Sequence, residues 1–369
     1  MRAMRTVAVT TATVTALTLA ACSTDADSDS EDTTSAASTT TESSPAASES
    51  TDLDGREVTV VTHDSFNVPD EVLASFEEET GLTVEFVAPG DAGSLVNQLV
   101  LTKDAPLGDV VFGVDNTFAS RAIEEGVFTD YTSEAPAAAD AAAYAVPGSG
   151  ALTAIDYSDV CLNYDIATFD GDVELPEELS DLTDPAYAGM LSVSNPATSS
   201  PGLAFLLATV SEFGYDWEQY WSDLTANDLR VTASWSDTYY TDFAAPNYGG
   251  DYPIVLSYAS SPPFEVIDGE PTTAALLDTC FRQVEYAGVL EGALNPEAGQ
   301  AVVDWMLSDE FQAALPTNMY VYPVSEQVEV PAEWAEYAPL AEDPHSLTPE
   351  EITEGRDEWI ETWNSIVLG

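Results

Sequence analysis

The chain has 369 residues and sets 66 Asp and Glu against 8 Lys and Arg, a formal net charge of −58. Phosphate backbones require clustered Lys and Arg, so nucleic acid is excluded as a partner, and the acidity reads as a solvated surface rather than a cation trap. Two histidines, with no His-x-x-x-His, Cys-x-x-Cys, Gly-rich lysine loop or Gly-x-Ser-x-Gly elbow, leave no metal, nucleotide or hydrolase signature, and carboxylate pairs are too abundant to single any out.

Arg2 and Arg5 precede a short apolar, threonine-rich run that reads as a secretory signal over residues 1–21, too short and too polar to span a membrane. Leu19-Ala20-Ala21-Cys22 resembles a bacterial lipobox, with Cys22 the lipidated first residue of the mature chain. Residues 22–54 then form a tether of Ser, Thr, Ala, Asp and Glu, too poor in apolar groups to offset the entropy of ordering. The expectation is an exported body held by lipid at the outer face of the cytoplasmic membrane. Residues 55–369 are long for one core and suit two lobes, 55–155 with 281–320 and 156–280 with 321–369.

Residues 56–62 alternate as a strand that stops at His63-Asp64. Helical spacing follows from Pro69 and ends at Gly81, residues 82–88 return to strand, and Leu95, Val96, Leu99 and Val100 mark a second helix after a turn at 89–93. Residues 109–113 form a third strand. This β-α-β-α-β order predicts a parallel sheet flanked by helices, with Asp64, Asp91 and Asp115 on one edge as helix caps or ligand contacts. Residues 154–165 are strand-like and cross between lobes. A second α/β unit follows: a strand at 191–193 and a helix opened by Ser200-Pro201, a hydroxyl followed by proline at the first helical position, where free N–H groups cap or seat an anion. A helix over 296–315 stops at Pro316, an aromatic loop follows at 317–323, and a last helix runs over 349–367. Cys161 and Cys280, an even pair in an exported chain, favour a disulfide; two buried free thiols are the alternative.

The organising stretch is 234–264. Ile254-Val255-Leu256 reads as a buried strand that empties into Ser257-Tyr258-Ala259-Ser260-Ser261 and is ended by Pro262-Pro263. Such a strand delivers Tyr258 and the serine hydroxyls to the sheet mouth, where open α/β folds bind ligands, and Trp235 with Tyr239 and Tyr240 adds aromatic walls suited to a flat or cationic small molecule.

Ordered blocks along the whole body carry a family resemblance. They are Thr62-His63-Asp64-Ser65-Phe66, Asp91-Ala92-Gly93-Ser94-Leu95-Val96-Asn97, residues 109–116, Asp156-Tyr157, Thr198-Ser199-Ser200-Pro201-Gly202-Leu203, Trp235-Ser236-Asp237-Thr238-Tyr239, residues 256–262, Gln283-Val284-Glu285 and residues 316–324. The chain resembles the thiamine-binding receptors of ABC importers, two-lobed periplasmic-type solute-binding proteins of the type II α/β fold.

The resemblance implies a monomeric, non-catalytic receptor without cofactor or metal, closing on thiamine or its phosphate esters and delivering it to an ABC permease. It places Asp91 and Ala92 on the ligand from one lobe, Ser199 and Ser200 on its hydroxyl or phosphate end, Trp235 against a ring, and Tyr258, Ala259, Ser260 and Ser261 along the other wall. His63, Phe264 and Tyr320 stand where the family has tyrosine, tyrosine and tryptophan, and Ala92 where it has glycine; Asp64 and Asp156 are the carboxylates that could face the cation. Two other readings compete: an iron(III) receptor using Tyr239-Tyr240 phenolates, and a secreted serine hydrolase using His63.

Overall fold

The computed structural model describes residues 53–171 and 173–369. The signal peptide, Cys22 and the tether lie outside the described residues, except that Leu53 already packs, partly buried, against the body's core.

Strands β1 (Glu57–Val61), β2 (Thr83–Val87) and β3 (Val110–Asp115) form a parallel ladder in the order β2-β1-β3. Val58, Val60, Val61, Val110, Val111 and Phe112 are buried, the apolar run expected of strands covered on both faces. Helix α1 (Asp70–Thr80) stops at Gly81, whose left-handed φ of 72° returns its N–H to the Glu77 carbonyl, and α2 (Ala92–Leu101) buries Leu95, Val96 and Leu99. A short α3 (Ala119–Glu124) follows β3, and β4 (Phe128–Thr129) pairs with a later strand.

Strand β5 (Thr153–Asp165) is one continuous element. Beyond it, β6 (Leu191–Ser194) leads into α4 (Ser200–Phe213), then α5 (Trp217–Ala226), β7 (Arg230–Thr232) and β8 (Ile254–Tyr258). The β8-β6-β7 group is parallel, mirroring β2-β1-β3 at the other end of the sheet. A small hairpin of β9 (Val266–Ile267) and β10 (Glu270–Pro271) precedes β11 (Thr273–Leu290), which with β5 joins the two parallel groups through antiparallel pairing. Strand β11 is 18 residues long and carries Cys280 near its middle. Its β11–β5 ladder is interrupted between Leu276 and Phe281, and a disulfide joins Cys161 to Cys280 there.

The single helix expected over 296–315 is two, α6 (Pro296–Met306) and α7 (Asp309–Asn318). Ser308 caps the second by accepting from the Phe311 N–H, with Asp309 and Glu310 in its first turn, a start signal that overrides the continuous apolar periodicity. Pro316 does not end α7, because in the last turn it forfeits a single intrahelical bond. Strand β12 (Tyr322–Pro323) pairs with β5, and α8 (Pro349–Val367), opened by a Thr348/Glu351 capping box, lays Ile352 and Trp363 into the core, with Trp363 edge-on to Trp221 of α5.

Candidate functional site

Parallel strands carry their ligand sites beyond their carboxyl ends, and both parallel groups point those ends at one cavity of about 250 Å³. From the β1 side come His63, Ser65 and Asn67, and from the start of α2 come Asp91 and Ala92. The start of α4 adds Ser200 and Pro201, and the segments around β7 and β8 add Trp235, Tyr239, Tyr240, Tyr258, Ser261 and Phe264. Glu285 of β11 closes the floor, and Asn318 to Val321, from the last residue of α7 onward, close the remaining side.

The aromatic wall is self-supporting. Trp235 stacks on Tyr239 at a centroid distance of 5.2 Å and meets Tyr240 and Tyr258 edge-on at 5.3 and 5.9 Å. Its Nε1 donates to Ser257 Oγ, which in turn bonds Ser261 Oγ at 2.8 Å. Opposite, Phe264 and Tyr320 meet edge-on at 4.9 Å. Tyr320 holds a positive φ of 53°, rarely adopted by a bulky residue, and Ser260 Oγ pins it there by donating to its carbonyl at 2.6 Å.

Asp91 is the junction of the site. Its Oδ1 accepts from Ala92 N at 2.6 Å and from Ser200 N at 3.4 Å, while Oδ2 accepts from Trp235 N at 2.8 Å. One carboxylate thus caps α2 and ties it to the start of α4 and to the aromatic wall. Close approach is possible because Gly93 lies against Thr198, where a Cβ would sit 2.6 Å from the carbonyl carbon. Burial pushes the Asp91 carboxyl up to about 6 against the opposing pull of its hydrogen bonds.

The remaining charge is also acidic. Glu285 and Asp91 line the cavity, and among the described residues no Lys or Arg does. His63 supplies no cation, since burial lowers its imidazole to about 4. Its Nδ1 lies 3.0 Å from Ser65 Oγ and its Nε2 3.4 Å from Glu285 Oε1, in space that Gly113 leaves open: at φ 96°, a Cβ there would meet the ring at 2.2 Å.

Of the sequence candidates, His63, Asp91, Ala92, Ser200, Trp235, Tyr258, Ser261, Phe264 and Tyr320 meet at the cavity. Five do not reach its wall. Ser199 is buried as the α4 cap, accepting from Gly202 N. Ser260 is the buried support of Tyr320. Ala259 packs beside the disulfide, its N–H on the Asp159 carbonyl. Asp64 is exposed on its loop, and Asp156 is wholly buried behind Glu285. The anion seat expected at Ser200-Pro201 is filled from within the chain, because the Ser200 N–H faces Asp91. Glu285, Ser65, Asn67, Pro201, Asn318, Met319 and Val321 were absent from the candidates; for Glu285 the available signal was an acid set within the apolar run 284–290 of β11.

Residues 105–341 match the family described as bacterial extracellular solute-binding proteins. The chain is 30% identical over 320 residues to the thiamine-binding periplasmic protein of Escherichia coli (strain K12), a match covering 84% of this chain and 93% of that one. With the thiamine-binding periplasmic protein of Brucella melitensis biotype 1 it shares 28% identity over 334 residues, 87% and 93% of the two chains. Among solved structures, a periplasmic thiamin binding protein superposes with a TM-score of 0.73 at 29% identity over 84% of this chain and 96% of that one. Iron-bound HitA from Pseudomonas aeruginosa, at 22% identity and a TM-score of 0.67 over 84% and 99%, shares the fold. The architecture is the type II periplasmic-binding-protein fold. The chain belongs to the bacterial extracellular solute-binding proteins.

Proposed function

We propose that this protein is an extracytoplasmic receptor that captures thiamine and delivers it to an ABC permease without transforming it. The observation that carries the reading is the cavity wall: Trp235, Tyr240, Tyr258, Phe264 and Tyr320 surround a space whose charged lining is the acidic pair Asp91 and Glu285. Thiamine brings a fixed positive charge on a flat thiazolium ring, which aromatic faces and carboxylates stabilise when water is excluded. The thiamine-binding names of the relatives support the same ligand. A phosphate ester meets no Lys or Arg on this wall, so the ring end of the ligand dominates recognition.

Export, a lipid anchor at Cys22 and a monomeric body complete the proposal. The lobes are 55–155 with 281–320 and 156–280 with 321–369; the first two boundaries fall within β5 and β11, whose interrupted ladder suits a hinge, and the third lies just before β12.

Iron(III) is disfavoured by Tyr239, whose hydroxyl donates to Glu265 Oε1 at 3.2 Å and whose burial drives its ionisation well upward, so no pair of phenolates stands ready. The hydrolase reading has one observation behind it, the Ser65–His63–Glu285 row. A histidine held near 4 is a poor base at neutral pH, and the Ser200 N–H that could steady an oxyanion is engaged by Asp91. Calorimetric titration with thiamine, its monophosphate and its diphosphate tests the receptor reading: saturable heat at one site is expected, and no binding of any of the three overturns it.

A further inference from the structure

Three carboxylates stand side by side in the sheet behind the cavity, and of these Glu285 lines it. The strand register sets Glu285 of β11 opposite Asp115 of β3 on one side and Asp156 of β5 on the other, and all three are at least nine-tenths buried. Like charges directly opposite one another destabilise a sheet, so each needs a compensating partner. Asp115 has them: Ser200 Oγ at 2.7 Å, Gln283 Nε2 at 2.8 Å and Thr117 Oγ1 at 2.8 Å all donate to it. Asp156 does not, for neither of its oxygens receives a hydrogen bond from any N–H or hydroxyl among the described residues. The group in reach is the carboxyl of Glu285, and two carboxyls bond only with a proton between them.

The groups packed around Glu285 bring no cation to replace that proton. Asp115 and Asp156 flank it on the sheet, Asp91 approaches from α2, the Tyr258 phenol faces it from β8, and the neutral His63 faces it from the β1 loop. Arg282, earlier on β11, is paired with Asp159. His63 Nε2, on the same wall and 7% exposed, lies 3.4 Å from Glu285 Oε1 and has no hydrogen bond among the described residues. Burial and the neighbouring carboxylates both raise the Glu285 carboxyl, and burial raises Asp156 to about 8, in keeping with a retained proton at neutral pH.

We propose that Asp156 and Glu285 share a proton in the empty receptor and release it to bulk water when a cationic ligand seats against Glu285, so that capture is proton-coupled and selects positive charge. The balance is simple: the ligand's positive charge replaces the proton's, the proton passes to buffer, and no covalent bond changes. The proposal rests on the receptor reading above and deepens it.

The test is calorimetry of the whole chain with thiamine near neutral pH in buffers of different ionisation enthalpy. Release of about one proton per ligand is expected, with affinity rising about tenfold per pH unit while the pair holds its proton. In Asp156→Asn the amide donates to Glu285 and no proton is shared, so release vanishes and the affinity becomes flat with pH while binding persists. In Glu285→Gln release vanishes and binding weakens. Heat of binding without proton exchange in the wild type overturns the coupling alone, as does full release in a folded Asp156→Asn. Absence of any thiamine binding overturns the receptor reading and the coupling together. Should either variant fail to fold by circular dichroism, the wild-type proton count still decides.

Discussion

Asp91→Asn should raise the thermal stability of the ligand-free protein at neutral pH while weakening its hold on thiamine. Asp91 is 7% exposed, and its carboxyl titrates at about 6 instead of 3.8. The roughly two-unit rise means that keeping the group ionised in the fold costs about 3 kcal/mol at 1.36 kcal/mol per unit, after its hydrogen bonds have been counted. Asparagine has no such cost, and its side-chain oxygen can still cap α2 at Ala92 N, while its amide NH2 takes the place of the Oδ2 acceptor of Trp235 N and offsets about 1 kcal/mol or more of the gain. For a body of this size the full gain of about 3 kcal/mol would correspond to about 4–8 °C in Tm, and the net rise is smaller.

The sign follows from linkage. A carboxyl with a raised folded pKa contributes stability that is fully present below its unfolded value and is lost as pH rises through the folded value. Wild type and variant should therefore unfold at similar temperatures near pH 4 and diverge through about pH 6, the variant melting higher. Differential scanning fluorimetry across that range reads the divergence, and calorimetry at pH 7 reads a loss of thiamine affinity of tenfold or more. A variant that melts lower than wild type at pH 7, or a difference independent of pH, refutes the view that Asp91 is held ionised against its surroundings for the sake of the site. Asp91→Ala separates the contributions: with no acceptor left for Trp235 N and Ser200 N, it should give back most or all of the gain.

Trp235→Ala should weaken thiamine binding by roughly 1 to 3 kcal/mol, with Trp235→Phe in between because it keeps a ring but loses the Nε1 bond to Ser257; unchanged affinity in a folded Ala variant would remove the ring from the site. The ligand-free protein should lose stability steadily from about pH 5 to about pH 8, because Asp156 and Glu285 also titrate above their ordinary values in the fold, and Asp156→Asn should flatten that decline in a Tm-versus-pH series.

The parallel βαβ units were legible because they are local: alternation in β1, the glycine stop at Gly81 and the Ser-Pro helix start each act within a few residues. The aromatic half of the site was legible for a related reason, since one short stretch from Trp235 to Phe264 supplies most of it. The α6–α7 break was missed where apolar spacing ran across a capping serine, and Pro316 was read as a terminator though it occupies a final turn where it does little harm. Ser199, Ser260, Ala259 and Asp156 lie near the cavity but are buried and do not line it. Whether a residue next to the wall faces it depends on strand pleat and helix phase, which a one-residue change reverses.

Sequence by itself determined that this is an acidic α/β body unsuited to nucleic acid, with aromatics and hydroxyls at strand ends and the marks of a solute receptor, because composition and short-range periodicity encode those properties directly. Only tertiary structure decided what the carboxylates do. Asp91, Asp115, Asp156 and Glu285 come from four separate segments, and it is the pairing of β3, β11 and β5 that sets three of them in a row and buries them, turning unremarkable acids into groups whose protonation is bound up with the fold.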